Sequence, residues 1–230
     1  MGAWGIINEV KQMPSELFEQ KKSIITVCRQ LVHLGLTLGT WGNVSVLCDE
    51  PGKVLITPSG MKYDVLCPDD IVAVGLDGQI WEANRRPSIE TPLHLAIYRQ
   101  RSDVRAVVHT HSTFATAAAV AGTPIPAVVE DMAQIVGGNA EVADYAPAGS
   151  AQLAENVISA LGPRGAVLLA NHGVVGVGAD IEEALQVCQV VEKTACIYAY
   201  AKLFGSPKTI SEKDIKEMHD FYKTKYKQQI

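Results

Sequence analysis

Three short stretches carry side chains able to do chemistry together. In RAVVHTH, His109 and His111 lie two apart at the end of an apolar, β-branched run. Side chains alternate faces along a strand, so the two imidazoles share a face, roughly 6.5–7 Å apart at the backbone. In ANHG, His172 closes a second apolar run and is followed by Gly173, which allows close backbone approach. Three neutral imidazoles with one open position make a catalytic zinc site, and nitrogen ligands also suit other divalent transition metals. An H-x-H pair alone also arises from composition, so the pair needs support from elsewhere in the chain.

Glu90 offers that support. It precedes TPLHLAIYRQ, where Thr91 is a good helix N-cap and Pro92 a good first helical residue. A carboxylate at a helix N-terminus is stabilised as the anion. Glu90 is therefore a fourth ligand, a base, or a surface carboxylate that stabilises its helix. Three small polar turns, GTWGNVS (39–45), TPSG (57–60) and PSIE (87–90), expose backbone N–H groups that suit an anion such as phosphate. The other histidines read differently. His33 and His219 fall on helices with no neighbouring partner, and His94 reads as packing or a local hydrogen bond. GVVGVG (173–178) has its glycines in the wrong order for a dinucleotide loop.

The elements that must position these residues follow from periodicity. Ser15–Leu34 reads as an amphipathic helix stopped by Gly35. A Gly-rich turn entering a short strand is expected over 38–47 and a strand ending in the Pro58–Ser59–Gly60 turn over 53–60, and 71–82 reads as a hairpin turning at Asp77–Gly78. Helices are expected from Thr91, over about Ser112–Val120, Ser150–Leu161 and Ile181–Leu203, with Ser211 opening a last one. Gly165–Gly173 reads as a buried strand that His172 ends. Mixed elements with a hairpin among them indicate a single domain, 1–230, with a substantially antiparallel or mixed sheet flanked by helices.

With 47% hydrophobic and 20% charged residues in 230, the chain suits one globular domain that needs no staples. A net charge of −5 argues against a nucleic-acid partner. The one basic cluster, from Lys223 onward, reads as a solvated helix face. Five scattered cysteines without C-x-x-C fit a reducing compartment. The first ten residues lack the pattern of a secretory leader, and Ile6 breaks a myristoylation motif. Thr, Gly and two prolines interrupt the longest apolar stretch, 115–129, so no membrane span is expected. A cytoplasmic protein is the expectation.

GNVS at 42–45, ITPSG at 56–60, P-S-x-E at 87–90, HTH at 109–111 and NHG at 171–173 together resemble the class II aldolase/adducin-head family, in that family's order. The resemblance runs from the first helix to about Leu203 and implies an α/β fold, three-layer α/β/α with a central, largely antiparallel sheet. It implies Zn²⁺, or Mn²⁺ or Co²⁺ in its place, held by His109, His111 and His172. Glu90 would be the fourth ligand at rest and the catalytic base with substrate bound. It implies a phosphate pocket at Gly42, Asn43, Ser59, Gly60 and Ser88, and a homotetramer with sites between subunits. Tyr226 or Tyr222, reaching in from a neighbour, would be the proton donor.

The implied activity is cleavage of a ketose 1-phosphate, L-fuculose 1-phosphate or a related deoxypentulose phosphate, to dihydroxyacetone phosphate and an aldehyde. The same family holds a 4-epimerase, a methylthioribulose-phosphate dehydratase, an oxo-sugar-acid phosphate decarboxylase and the non-enzymatic adducin head. The chain departs from the fuculose-phosphate pattern in three places. Ile89 replaces a second phosphate serine, Ala148 replaces an aromatic, and VVEDM (128–132) replaces a segment bearing a tyrosine, which turns attention to Glu130 and Asp131. The Glu of P-S-x-E is aldolase-like, whereas T-P-x-H is epimerase-like.

Overall fold

The computed structural model describes residues 15–226. The leader and myristoylation readings lie outside that range, as does the end of the basic cluster. Helix α1 (Ser15–His33) precedes strands β1 (Asn43–Leu47), β2 (Lys53–Ile56), β3 (Val72–Gly75) and β4 (Ile80–Glu82). Then come α2 (Thr91–Gln100), β5 (Ala106–Thr110), α3 (Thr113–Val120) and β6 (Glu141–Ala143). Helix α4 (Ala151–Leu161), the hairpin β7 (Ala166–Leu169) and β8 (Gly173–Gly178), α5 (Ile181–Phe204) and α6 (Glu212–Phe221) complete the order.

The eight strands form one sheet in the order β4-β3-β2-β1-β5-β8-β7-β6. Every pairing is antiparallel except β6 with β7. Alternation sorts the side chains into layers. Val44, Leu55, Ala73, Ala106 and Val108 face α1 and α5. Their strand neighbours Val54, Ile56, Val72, Val74 and Val107 face α2 and α4. Helix α3 joins the first layer, with Ala115 and Ala119 packed against Val187 and Val191 of α5. The expected three-layer α/β/α architecture is the one observed. Because both faces are covered, the central strands are largely buried and apolar, and their exceptions, Asn43 and Ser45 of β1 and His109 and Thr110 of β5, are buried polar residues. Among the described residues no helix is long and apolar enough to cross a membrane.

Two local expectations are corrected. His172 does not end a strand. It occupies the three-residue loop Ala170–Asn171–His172 between β7 and β8, where Asn171 takes the left-handed conformation at φ 57°. Asn tolerates that region better than other non-glycine residues, so it can reverse the chain there. Nor is Thr91 the cap of α2. Helix α2 begins at Thr91 itself, Glu90 stands at the cap position, and its carboxylate makes no capping hydrogen bond. The Thr91 hydroxyl instead donates to the Ser88 carbonyl at 2.6 Å.

Candidate active site

The sheet register brings the distant pieces together. Asn43 of β1 lies opposite His109 of β5, and β5 continues against β8, where Thr110 faces Val174. The loop that carries His172 therefore returns beside the end of β5. Two glycines make this closeness feasible. A Cβ at Gly42, where φ is 84°, would come within 2.6 Å of the His109 carbonyl oxygen. A Cβ at Gly173 would come within 2.3 Å of the Thr110 carbonyl oxygen. No other residue type fits either place.

The three imidazoles meet edge to face, with ring centroids 4.7, 4.8 and 4.9 Å apart. One ring nitrogen from each of His109, His111 and His172 falls within 4.8 Å of the others, a grouping able to hold a metal ion. His109 Nδ1 lies 3.0 Å from the Val174 carbonyl oxygen. A carbonyl only accepts, so Nδ1 carries a proton and Nε2 is the nitrogen turned inward. That Nε2 lies 2.9 Å from His111 Nε2 and 3.2 Å from Glu90 Oε2. Two electron-rich atoms become good neighbours only with a proton or a cation between them. Burial, followed by the charge of its histidine neighbours, pushes His111 down to about 3 and also lowers His172. Neutral rings with free lone pairs are what a transition metal requires. The donor set fits such an ion.

Glu90 is buried. Burial alone would raise its carboxyl pKa, but positive charge at His109 or His172 and the hydrogen bond from Asn43 outweigh it, so the group is held below its usual range. Asn43 Nδ2 donates to Glu90 Oε2 at 2.8 Å. The other oxygen, Oε1, lies 3.7 Å from His172 Nε2 and has no hydrogen-bond partner. A buried carboxylate oxygen without a partner is costly unless a ligand meets it.

Above this floor is a cavity of about 260 Å³ lined in part by Gly42, Asn43, Glu90, His111 and His172. Ser59, Gly60 and Ser88 line the same cavity. The two turns that carry them are tied by a bridge between Pro58 and Pro87, with Ser88 N–H donating to the Thr57 carbonyl at 3.0 Å and Ser59 N–H to the Arg86 carbonyl at 2.9 Å. Exposed Trp41, Ile89 and Ala148 complete its apolar part. Every residue expected at the metal or the phosphate is thus in one place, except that His109 is buried beneath the others.

This chain belongs to the class II aldolase and adducin N-terminal domain family, whose profile matches residues 22–199. It is 38% identical over 202 residues to 5-deoxy-D-ribulose 1-phosphate aldolase of Bacillus thuringiensis serovar kurstaki, covering 88% of this chain and 94% of the relative. It is 35% identical over 212 residues to 5-methylthioribulose-1-phosphate/5-deoxyribulose-1-phosphate aldolase of Rhodospirillum rubrum, covering 92% and 95%. A solved L-fuculose 1-phosphate aldolase superposes with a TM-score of 0.86 at 36% identity, over 89% of this chain and 96% of its own.

The other candidate residues of this class II aldolase-family chain lie elsewhere. Glu130 is exposed, and Asp131 is ion-paired with Lys193 at 2.6 Å; neither lines the cavity. Tyr226 is exposed in the turn after α6. Lys223 of the same turn lines a separate cavity with Arg101, Asp103 and Gly178. Gly178 pairs with Ala106, at the end of β5 away from the histidines, so within one chain Tyr226 does not join the cluster. The Tyr222 hydroxyl is buried and donates to Gln186 at 3.2 Å. His94, expected to pack or to make a local hydrogen bond, lies buried in a polar chain that ends on Asn43, a link to the site that the sequence did not directly suggest. The signal was its spacing: His94 is one helical turn beyond Glu90, on the same face of α2.

Proposed function

We propose that this protein is a metal-dependent aldolase that cleaves a ketose 1-phosphate to dihydroxyacetone phosphate and a short aldehyde. The observation that carries the reading is the inward-facing set His109, His111, His172 and Glu90 at the floor of a cavity that also presents two serine turns. The three imidazoles would hold Zn²⁺, or Mn²⁺ or Co²⁺ in its place, which when bound supplies Lewis-acid stabilisation of the negative charge developing on the substrate oxygens. Glu90 holds and returns the proton through Oε1, the oxygen with no other hydrogen-bond partner. Gly42, Asn43, Ser59, Gly60 and Ser88 bind the phosphate. Anchoring that remote group orients the carbons whose bond breaks.

Exposed Trp41 and Ala148 leave the mouth apolar, which supports a substrate whose far end carries few hydroxyls. A deoxypentulose phosphate suits it better than a fully hydroxylated sugar, and two relatives at 38% and 35% identity are named for such substrates. In the condensing direction the proton donor to the aldehyde oxygen is Tyr226 of a neighbouring subunit in a homotetramer; in cleavage the same group takes that proton as the hydroxyl becomes the carbonyl. Its exposure makes it the better candidate, since the Tyr222 hydroxyl already has a partner. The chain works as a single domain, because one continuous sheet carries all four cluster residues or the segments beside them. Free cysteines at 28, 48, 67, 188 and 196 support a reducing cytoplasmic setting.

The test is a product screen. Zinc-loaded full-length protein is incubated with 5-deoxyribulose 1-phosphate, 5-methylthioribulose 1-phosphate and L-fuculose 1-phosphate, and products are identified by mass spectrometry. Dihydroxyacetone phosphate is the expected product. An isomer, or loss of water or CO₂, would move the protein to another reaction of the family. No turnover together with no bound metal would point to an adducin-like scaffold.

A further inference from the structure

A buried line of polar side chains runs away from Glu90 into the layer between the sheet and α2, and the aldolase reading makes no use of it. Asn43 Oδ1 lies 2.5 Å from His94 Nε2, and Ser45 Oγ lies 2.6 Å from His94 Nδ1 and 2.7 Å from the Tyr98 hydroxyl. Asn43, Ser45, His94 and Tyr98 are all buried.

The direction of each bond follows from its inner end. The Glu90 carboxylate only accepts, so Asn43 turns its NH₂ toward Oε2. Its carbonyl oxygen then faces His94, so Nε2 must carry the proton. A neutral imidazole has one N–H, so Nδ1 accepts and the Ser45 hydroxyl donates to it. Ser45 in turn accepts from Tyr98. Every donor points toward Glu90, and each bond in such a line polarises the next. Burial pushes His94 down to about 3, which keeps the ring neutral and the direction fixed.

We propose that His94 is a positioning residue for Glu90: through its Nε2–H it locks the Asn43 amide in the one orientation that donates to Oε2. With the amide reversed, its oxygen would face the carboxylate and Glu90 would lose its tether. With the amide held, Oε2 is fixed beside His109, and Oε1 is left as the oxygen that meets the substrate proton. The His94 side chain touches neither the substrate nor the cluster and acts on Glu90 only through Asn43. The chemistry it serves is the proposed aldol cleavage, so in that respect the inference rests on that reading.

Two measurements test it, and the first does not depend on turnover. Long-range ¹H–¹⁵N spectra of the full-length protein should show His94 protonated at Nε2 and bare at Nδ1. The Asn43 side-chain amide pair should be dispersed and slow to exchange in the wild type and in His94→Gln, whose amide nitrogen can replace Nε2, and should lose both properties in His94→Leu. An Nδ1-protonated His94, or Asn43 signals indifferent to His94→Leu, overturns the inference.

The second measurement is kinetic. His94→Leu should lower kcat by ~10–100-fold, the range for outer partners of site residues, with KM within about threefold. His94→Gln should recover most of that loss. In an Asn43→Ala background, His94→Leu should add nothing further, because a residue acting through Asn43 has nothing left to act on. Additive losses, or no rescue by Gln in a protein that still binds metal, mean that His94 serves only packing. If the wild type itself releases no triose phosphate, the functional reading fails, and the spectra still decide the role of His94.

Discussion

The floor and the mouth of the cavity are built on opposite terms. At the floor, Asn43, Glu90, His94 and His109 are buried, and each bonds to a named neighbour at 2.5–3.2 Å. At the mouth, Trp41, Ser59, Gly60, Ile89 and Ala148 are exposed, and Trp41 and Ser59 are tied in by backbone hydrogen bonds. Side chains proposed to move protons and grip a metal would tolerate little displacement, and their geometry is fixed jointly by the sheet and α2. Side chains that admit one substrate rather than another can vary without disturbing that geometry. On the proposed roles, the difference separates residues that decide whether the reaction happens from those that decide on what.

The largest effects should come from the floor. His111→Ala should remove stoichiometric zinc as measured by elemental analysis, and activity with it, whereas a chelator should reproduce the loss reversibly in the wild type. Glu90→Gln should keep the metal and lower kcat by ~10²–10⁴-fold, the scale of general acid–base catalysis. Retention of wild-type kcat would remove Glu90 from the proton-transfer step. Mouth substitutions should act on KM instead. Ser59→Ala should raise it about tenfold, the equivalent of one hydrogen bond to a charged group, with kcat little changed.

Acidity gives a subtler separation. His94 is held at about 3 against an ordinary 6.5. Between those values the unfolded chain takes up a proton that the folded chain refuses, so stability rises with pH. This one group contributes up to ~1.4 kcal/mol per pH unit in that window. His94→Gln should make urea-derived stability shallower with pH across it, and no exposed mouth residue should do so. The smallest expected effect is Ile89→Ser. It should lower KM for a sugar phosphate by only ~2–5-fold, because a hydrogen bond in exposed surroundings contributes less than a buried one.

The same contrast explains what could be read from sequence. His109 and His111 were legible because strand alternation fixes their relative direction, and the glycine and proline turns were legible because few residues adopt those conformations. Glu90 was placed correctly at a helix start, but its role as the cap position was not, since nothing local shows that Asn43 and the imidazoles draw its carboxylate away. His172 was assigned to a strand end because Ala166–Leu169 is uniformly apolar and periodicity does not mark where such a run stops. The line through His94 escaped because it joins residues 43, 45, 94 and 98 across two elements. Pairing of that kind appears only once β1 and α2 are packed.

The hairpin loop that carries His172 has a consequence for durability. Glu90, His109 and His172 enter from a helix start, a strand and a β-turn that are far apart in the chain, and no disulfide fastens them, since all five cysteines are free. An ion gripped by all three would act as a clasp on the hairpin as well as an electron sink. A lineage that discarded the ion would then have to refasten that loop by other means, so loss of catalysis and repair of the scaffold would have to evolve together.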